Sequence, residues 1–135
     1  MSAIYYQKEN ILPPKTRYIF HPVGLDGKYN EALFDSYPFA REKYEEMCDV
    51  SESQPIYPGT IQIIKCRDVV ILNAYVFING YLSFDALNGS LEDVDYTVYG
   101  KTISFCKHYF PPRDWQAVEG LIETRIETMN PIVFY

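Results

Sequence analysis

The sequence predicts an α/β domain in three layers, a mixed sheet with helices on both faces. Three observations predict it. Apolar, strand-like runs alternate along the chain with stretches of helical periodicity, the pattern of a largely parallel or mixed sheet covered on both sides. Val69-Val70-Ile71-Leu72 is wholly apolar, as a strand buried on both faces should be. The chain has 135 residues, 47% of them hydrophobic and 22% charged. These values fit one globular domain that buries a real core without staples. No internal repeat and no second domain is visible, so the domain is expected to span residues 1–135.

The elements follow in order. Ala3 to Tyr6 suits a short edge strand, and Pro13-Pro14 breaks regular structure because proline lacks an amide donor and fixes φ. Tyr18 to Val23 is a compact apolar run, read as a buried strand that enters the loop Gly24-Leu25-Asp26-Gly27-Lys28. Asn30 to Cys48 is helical, with Asn30 as N-cap. Leu33, Tyr37, Ala40, Tyr44 and Met47 share one face at spacings of three and four. Pro38 interrupts this helix or restarts it from the first position of a new turn.

Asp49 to Gly59 reads as a polar connection. Thr60–Lys65 and Val69–Phe77 read as strands joined by a tight turn at Arg67-Asp68. Ser83 to Val94 predicts a second helix with Phe84, Leu87 and Leu91 on one side, weakened by Asn88-Gly89 because glycine costs about 1 kcal/mol inside a helix. Lys101–Cys106 is a further strand, Ile103 and Phe105 alternating with Thr102 and Ser104. Pro111-Pro112 opens a helix from about Asp114 to Thr128 whose buried face carries Trp115, Val118, Ile122, Ile126 and Met129. Pro131 stops it, and Ile132–Tyr135 makes the last strand.

Composition bounds the function. The formal net charge is −6 with no basic run. Nucleic-acid affinity rests largely on Lys and Arg neutralising phosphates, so no nucleic-acid partner is expected. The longest uncharged run, Val69 to Phe84, contains Asn73, Asn79 and Gly80 and falls short of the ~20 apolar residues of a membrane span. No membrane association and no leader are expected. Cys48, Cys66 and Cys106 are three thiols without paired spacing, which points to a reducing, cytoplasmic compartment rather than a disulfide framework. Thirteen Tyr and eight Phe stand out. Tyrosine joins apolar area to a polar tip and is enriched at protein interfaces, though a tyrosine-rich core with hydroxyls at its edge accounts for the same count.

Three stretches carry a resemblance to a known family. Tyr18-Ile19-Phe20-His21-Pro22-Val23-Gly24, Asp26-Gly27-Lys28 and then Tyr37-Pro38-Phe39-Ala40-Arg41 through Cys48 form the first. Ser83-Phe84-Asp85-Ala86-Leu87 with Tyr99-Gly100-Lys101-Thr102-Ile103-Ser104-Phe105 form the second. Asp114-Trp115-Gln116-Ala117-Val118 through Glu123, with Pro131 to Tyr135, form the third. Over residues 18–135 this order resembles the macro domain family, in particular small macro domains of the ADP-ribose glycohydrolase type and their phage relatives. The resemblance implies a crevice for ADP-ribose, in which backbone amides of glycine-rich loops approach the diphosphate beside a helix N-terminus. On this chain the pocket rim implied by it would be His21, Gly24, Asp26, Gly27, Tyr29, Asn30, His108, Tyr109 and Arg113.

The chain departs from that pattern at each chemical position. Where the family's first loop has a second glycine, this chain has Tyr29. Its second loop, Cys106-Lys107-His108-Tyr109-Phe110-Pro111-Pro112-Arg113, has no glycine and two prolines without amide donors. Gly24 stands where many hydrolytic members carry asparagine. No lysine occurs in Asn73 to Ile78, and Pro111 replaces an aspartate. Asp114 reads as a helix-start residue favoured by the dipole. A Cys106–His108–His21 nucleophile-and-base reading competes with a buried structural thiol, the commoner case. A zinc site from Cys48, Cys66, Cys106, His21 and His108 lacks the short paired spacings such sites show. No catalytic residue, metal or cofactor is therefore assigned.

The expected function is a non-catalytic, macro-domain-like binding module with a protein partner; its small size, acidity and tyrosine content would suit a viral protein that interferes with a host factor. ADP-ribose or another nucleotide held by side chains in a remodelled pocket is the alternative. ADP-ribosyl hydrolase or ADP-ribose 1″-phosphate phosphatase activity would rest on fold analogy alone.

Overall fold

The computed structural model describes residues 4–6, 17–126 and 131–135. The Pro13-Pro14 break, Ala3, Met129 and the expected helix end at Thr128 lie outside the described residues. The strands are β1 (Ile4–Tyr6), β2 (Arg17–Gly24), β3 (Ile61–Lys65), β4 (Val69–Ile78), β5 (Tyr81–Leu82), β6 (Ile103–Phe105) and β7 (Ile132–Phe134). The helices are α1 (Glu31–Ser36), α2 (Pro38–Ser51), α3 (Phe84–Thr97) and α4 (Trp115–Arg125), with single 3₁₀ turns at Lys107–Tyr109 and Pro112–Asp114.

Among the described residues the strands form one mixed sheet in the order β1-β7-β6-β2-β4-β3, with β5 folded back on β4. β1, β7, β6, β2 and β4 run parallel; β3 and β5 are antiparallel to β4. Alternation along β2 divides its side chains between the two helix layers. Phe20 faces α3 and α4 with Leu72, Leu87, Leu91, Phe105 and Ile122. Ile19 and Val23 face α1 and α2 with Leu33, Phe34, Ala40 and Tyr44.

Local signals explain most boundaries. The Asn30 side chain accepts the Leu33 amide at 2.9 Å and caps α1, and Pro38 sits at the first position of α2. α1 has only six residues, too short to persist alone in water. It is held by Leu33 and Phe34, 6% and 0% exposed. Val69 to Ala74 are all buried, as a central strand requires.

Three details differ from expectation. β4 continues past Phe77 into a two-residue hairpin with β5, and Asn79 and Gly80 take φ of 51° and 83°. Positive φ at both centres is the type I′ turn that Asn-Gly favours, because its twist matches the flanking strands. α3 runs on to Thr97 through Asn88-Gly89. Its buried face is Leu87, Ser90, Leu91 and Val94, while Phe84, placed on that face by spacing, is 40% exposed. Phe84 opens the helix and lies over a groove between α3 and α4 instead of over the sheet.

Candidate functional site

In open α/β sheets, ligands bind outside the carboxyl ends of the parallel strands. Here that place lies between the loops after β2 and β6, beside the end of β4. It holds a cavity of about 160 Å³ lined by Pro22, Lys28, Tyr29, Asn30, Phe77, His108 and Tyr109. Small-molecule sites ordinarily measure roughly 300–1,000 Å³. A larger hollow of about 470 Å³ lies between α3 and α4. It is built on helix faces, so the strand-end crevice carries the stronger chemical argument.

The floor of the crevice is a hydrogen-bonded ladder across three strands. The Asn30 backbone N–H donates to His21 Nε2 at 3.0 Å. A backbone amide can only donate, so Nε2 is unprotonated and Nδ1 carries the hydrogen. Nδ1–H donates to Asn73 Oδ1 at 2.8 Å, Asn73 Nδ2 donates to Gln62 Oε1 at 3.0 Å, and Gln62 Nε2 donates to the Lys43 carbonyl at 2.8 Å. The ladder follows sheet register: His21 lies opposite Asn73 on β2 and β4, and Asn73 opposite Gln62 on β4 and β3. His21 and Asn73 are fully buried. Burial pulls the His21 imidazole down to about 4, against a smaller opposing effect of the Asn73 bond. Both ring nitrogens are engaged, so His21 is a neutral structural histidine with no free base site.

The first loop is closed upon itself. Gly24 N–H donates to the Lys28 carbonyl at 2.9 Å, and Tyr44 Oη donates to the Gly24 carbonyl. Three amides at the start of α1 have protein acceptors: Asn30 donates to His21, Leu33 to the Asn30 side chain, and Phe34 to the Asn30 carbonyl. Tyr29 turns its ring against Phe34 and Tyr44, with centroids 4.9 and 5.3 Å away.

Gly24 is tightly enclosed. A Cβ there would lie 2.9 Å from Asp26 Oδ1, 3.1 Å from the Phe77 carbonyl oxygen and 3.2 Å from Phe77 Cβ. A larger side chain here therefore needs the end of β4 and Asp26 to move. We expect Gly24→Ala to destabilise the fold by about 1–3 kcal/mol, as overpacking does. Urea unfolding measures this directly, and an unchanged midpoint would show that β4 yields freely.

The second loop is filled as well. Tyr109 packs on both core clusters and sets its ring edge-on to His21 at 5.5 Å. Burial pushes its phenol up to about 12. Four amides of the loop have backbone acceptors: Lys107 donates to the Tyr135 carbonyl, Tyr109 to Cys106, Phe110 to Lys107 and Asp114 to Pro111. Cys106 is buried, and burial raises its thiol pKa although the His108 and Tyr109 amides point at it. A protonated buried thiol is a poor nucleophile. His108 is exposed, and the ladder holds His21 away from proton transfer.

Of the residues read from sequence, Tyr29, Asn30, His108 and Tyr109 line the cavity. His21 lies buried in the ladder below the rim, and Gly24 is buried in the closed loop. Asp26, Gly27 and Arg113 are exposed in turns. Lys28, Pro22 and Phe77 also line the cavity and were not singled out. Lys28 sits in the same glycine turn and places its ammonium 4.9 Å from the Phe77 ring centroid, so the turn itself was the signal. Among the described residues, no cluster of three or more His, Cys, Asp or Glu is arranged to hold a metal.

No protein-family model matches the sequence, and no curated protein matches it in sequence. Solved structures do match. A macrodomain protein from Streptomyces coelicolor superposes with a TM-score of 0.81 at 15% identity, covering 98% of this chain and 98% of that one. The DarG macrodomain of Thermus aquaticus gives 0.78 at 13% identity over 100% and 99% of the two chains. The DarG macrodomain of Mycobacterium tuberculosis gives 0.74 at 15% over 99% and 98%. At such identities the likeness is one of fold. Sheet order, helix layers and superposition over essentially the whole chain agree: this chain has the macrodomain fold.

Proposed function

We propose that this chain is a non-catalytic, protein-binding module in which the macrodomain crevice is closed by the protein's own side chains. One observation carries the reading. Amides at both strand-end loops, Gly24, Asn30, Lys107 and Tyr109 among them, are taken up by protein acceptors, and Tyr109 sits on His21 where a ligand would enter. A diphosphate needs free amides and space for close backbone approach. Its partner on this reading is a protein, met through exposed aromatics such as Tyr57, Tyr81, Tyr96 and Tyr99 on an acidic chain. Three free cysteines suit the cytoplasm, and the same makeup suits a viral protein acting on a host factor.

Thermal unfolding with 1 mM ADP-ribose tests the closure. We expect no rise in Tm. A site with a hundredfold lower Kd would add about 2.7 kcal/mol, or roughly ten degrees for a domain of this size. Such a rise would overturn the reading. It would favour nucleotide binding in a remodelled crevice, for which the observation is that Lys28, Asn30 and His108 still line the cavity.

A further inference from the structure

We propose that the outer edge of β3 is a docking site for an extended, acidic peptide segment, which adds to the sheet as one more strand. The proposal rests on the protein-binding reading and names the surface and partner chemistry. Among the described residues β3 ends the sheet. Cys66 N–H donates to the Val69 carbonyl at 2.8 Å, and the register pairs Ile64 with Ile71 and Gln62 with Asn73. Hydrogen-bonded pairs alternate along an antiparallel ladder. Ile61, Ile63 and Lys65 therefore turn their backbone N–H and C=O groups outward. Proteins guard such edges with prolines, bulges or charges. This five-residue strand has no proline, one lysine, and an Ile63 that is 46% exposed.

Two grooves flank the edge, as strand addition requires, because side chains of an added strand alternate between the faces of the sheet. The groove toward α2 measures about 280 Å³ and carries Phe39 and Lys43; the groove toward α3 measures about 230 Å³ and carries Tyr99 and Lys101. Ile63 and Lys65 line both. Neither groove has an acidic lining residue, although the chain has 18 Asp and Glu against 12 Lys and Arg. Lys43 also meets Glu46 at 3.3 Å, an exposed pair of the kind that contributes little. The charge excess selects an acidic occupant. It selects against a second copy of this chain, whose edge would bring the same lysines against themselves.

The test is a backbone-amide NMR titration of the full chain with a capped peptide of about eight residues alternating valine and glutamate, an ordinary strand length. Two controls are its valine–lysine counterpart and the acidic peptide N-methylated on alternate amides. We expect the acidic peptide to move Ile61, Ile63 and Lys65 saturably and the N-methylated peptide to leave them still. Lys65→Glu, an exposed change that should leave the fold intact, should weaken binding by about tenfold, as reversing an interface charge does. Unmoved β3 amides at millimolar peptide, equal binding of the lysine or N-methylated peptide, or movement of these amides with protein concentration alone would each overturn the proposal. ADP-ribose titrated into the same sample reports on Lys28, Tyr29 and His108. Failure of the closed-crevice reading therefore shows at the crevice, and failure of the edge proposal shows at β3.

Discussion

Asn73→Leu is expected to lower stability by about 3–5 kcal/mol, although the side chains share one branching pattern and heavy-atom count. Asn73 joins two strands to β4. Its carbonyl accepts from His21 Nδ1 and its amide donates to Gln62. Leucine would strand the buried His21 N–H and overfill a fully buried position, and each of these costs about 1–3 kcal/mol. Water has no easy route to a position with 0% exposure. For a domain of this size the loss is a fall in Tm of roughly 10–20 degrees. Gln62→Leu touches the partly buried end of the ladder, where solvent can replace the lost bonds, and should cost about 1 kcal/mol. Urea unfolding of the two variants checks the order. If Asn73→Leu stayed within about 1 kcal/mol of the parent, His21 and Gln62 would have found other partners and the ladder would not act as a unit.

That ladder also marks where sequence reading stops. The elements were legible because their signals are local. Asn30 caps the residue three along, Pro38 restarts a helix at its own position, and the apolar run from Val69 needs no distant information. The β4–β5 hairpin was equally local in Asn79-Gly80, but ending the strand at Phe77 concealed it. Phe84 was misplaced because spacing alone cannot say where a helix's first residue meets a neighbouring helix instead of the sheet.

Proline and glycine act directly on the backbone, so Pro111, Pro112 and the missing loop glycines are the residues from which the sequence leads to the expectation of no diphosphate cradle. What occupies the space was not legible. His21 and Asn73 are 52 residues apart in sequence, and only strand register brings them together. Tyr109 reaches His21 because a 3₁₀ turn rotates it inward, which no spacing rule encodes. Asp26 and Arg113 are polar residues of surface turns, where a sequence shows charge but not direction.

Stability should fall as the pH drops from about 6.5 towards about 4, by roughly 3 kcal/mol in all, because of His21. The sign follows from its surroundings. In the unfolded chain the imidazole takes up a proton near its ordinary value of 6.5, whereas in the folded protein it stays neutral down to about 4. Between those values the unfolded state binds the extra proton, so lowering the pH favours unfolding. A displacement of this size corresponds to about 3 kcal/mol at 1.36 kcal/mol per unit. Above pH 6.5 the histidine contributes no slope, and below about 4 its contribution is complete. Protonation would also place a hydrogen on Nε2 against the Asn30 amide, turning an acceptor into a second donor. The rings of Phe34 and Tyr109, which enclose the imidazole edge-on, give the new charge no counterion. Among the described residues, the other groups displaced from their ordinary values are the thiols, Tyr44, Tyr109 and Arg41, all raised, so none of them titrates in this window. Urea midpoints of the parent and of His21→Gln across pH 4–7 isolate the effect, since glutamine cannot titrate. The parent should lose stability through this range and the variant should lose less by the histidine's share. Equal slopes in the two proteins would mean that His21 takes up its proton while the fold remains intact, which requires an opening of the crevice floor that the closed arrangement of Asn30, Asn73 and Tyr109 does not provide.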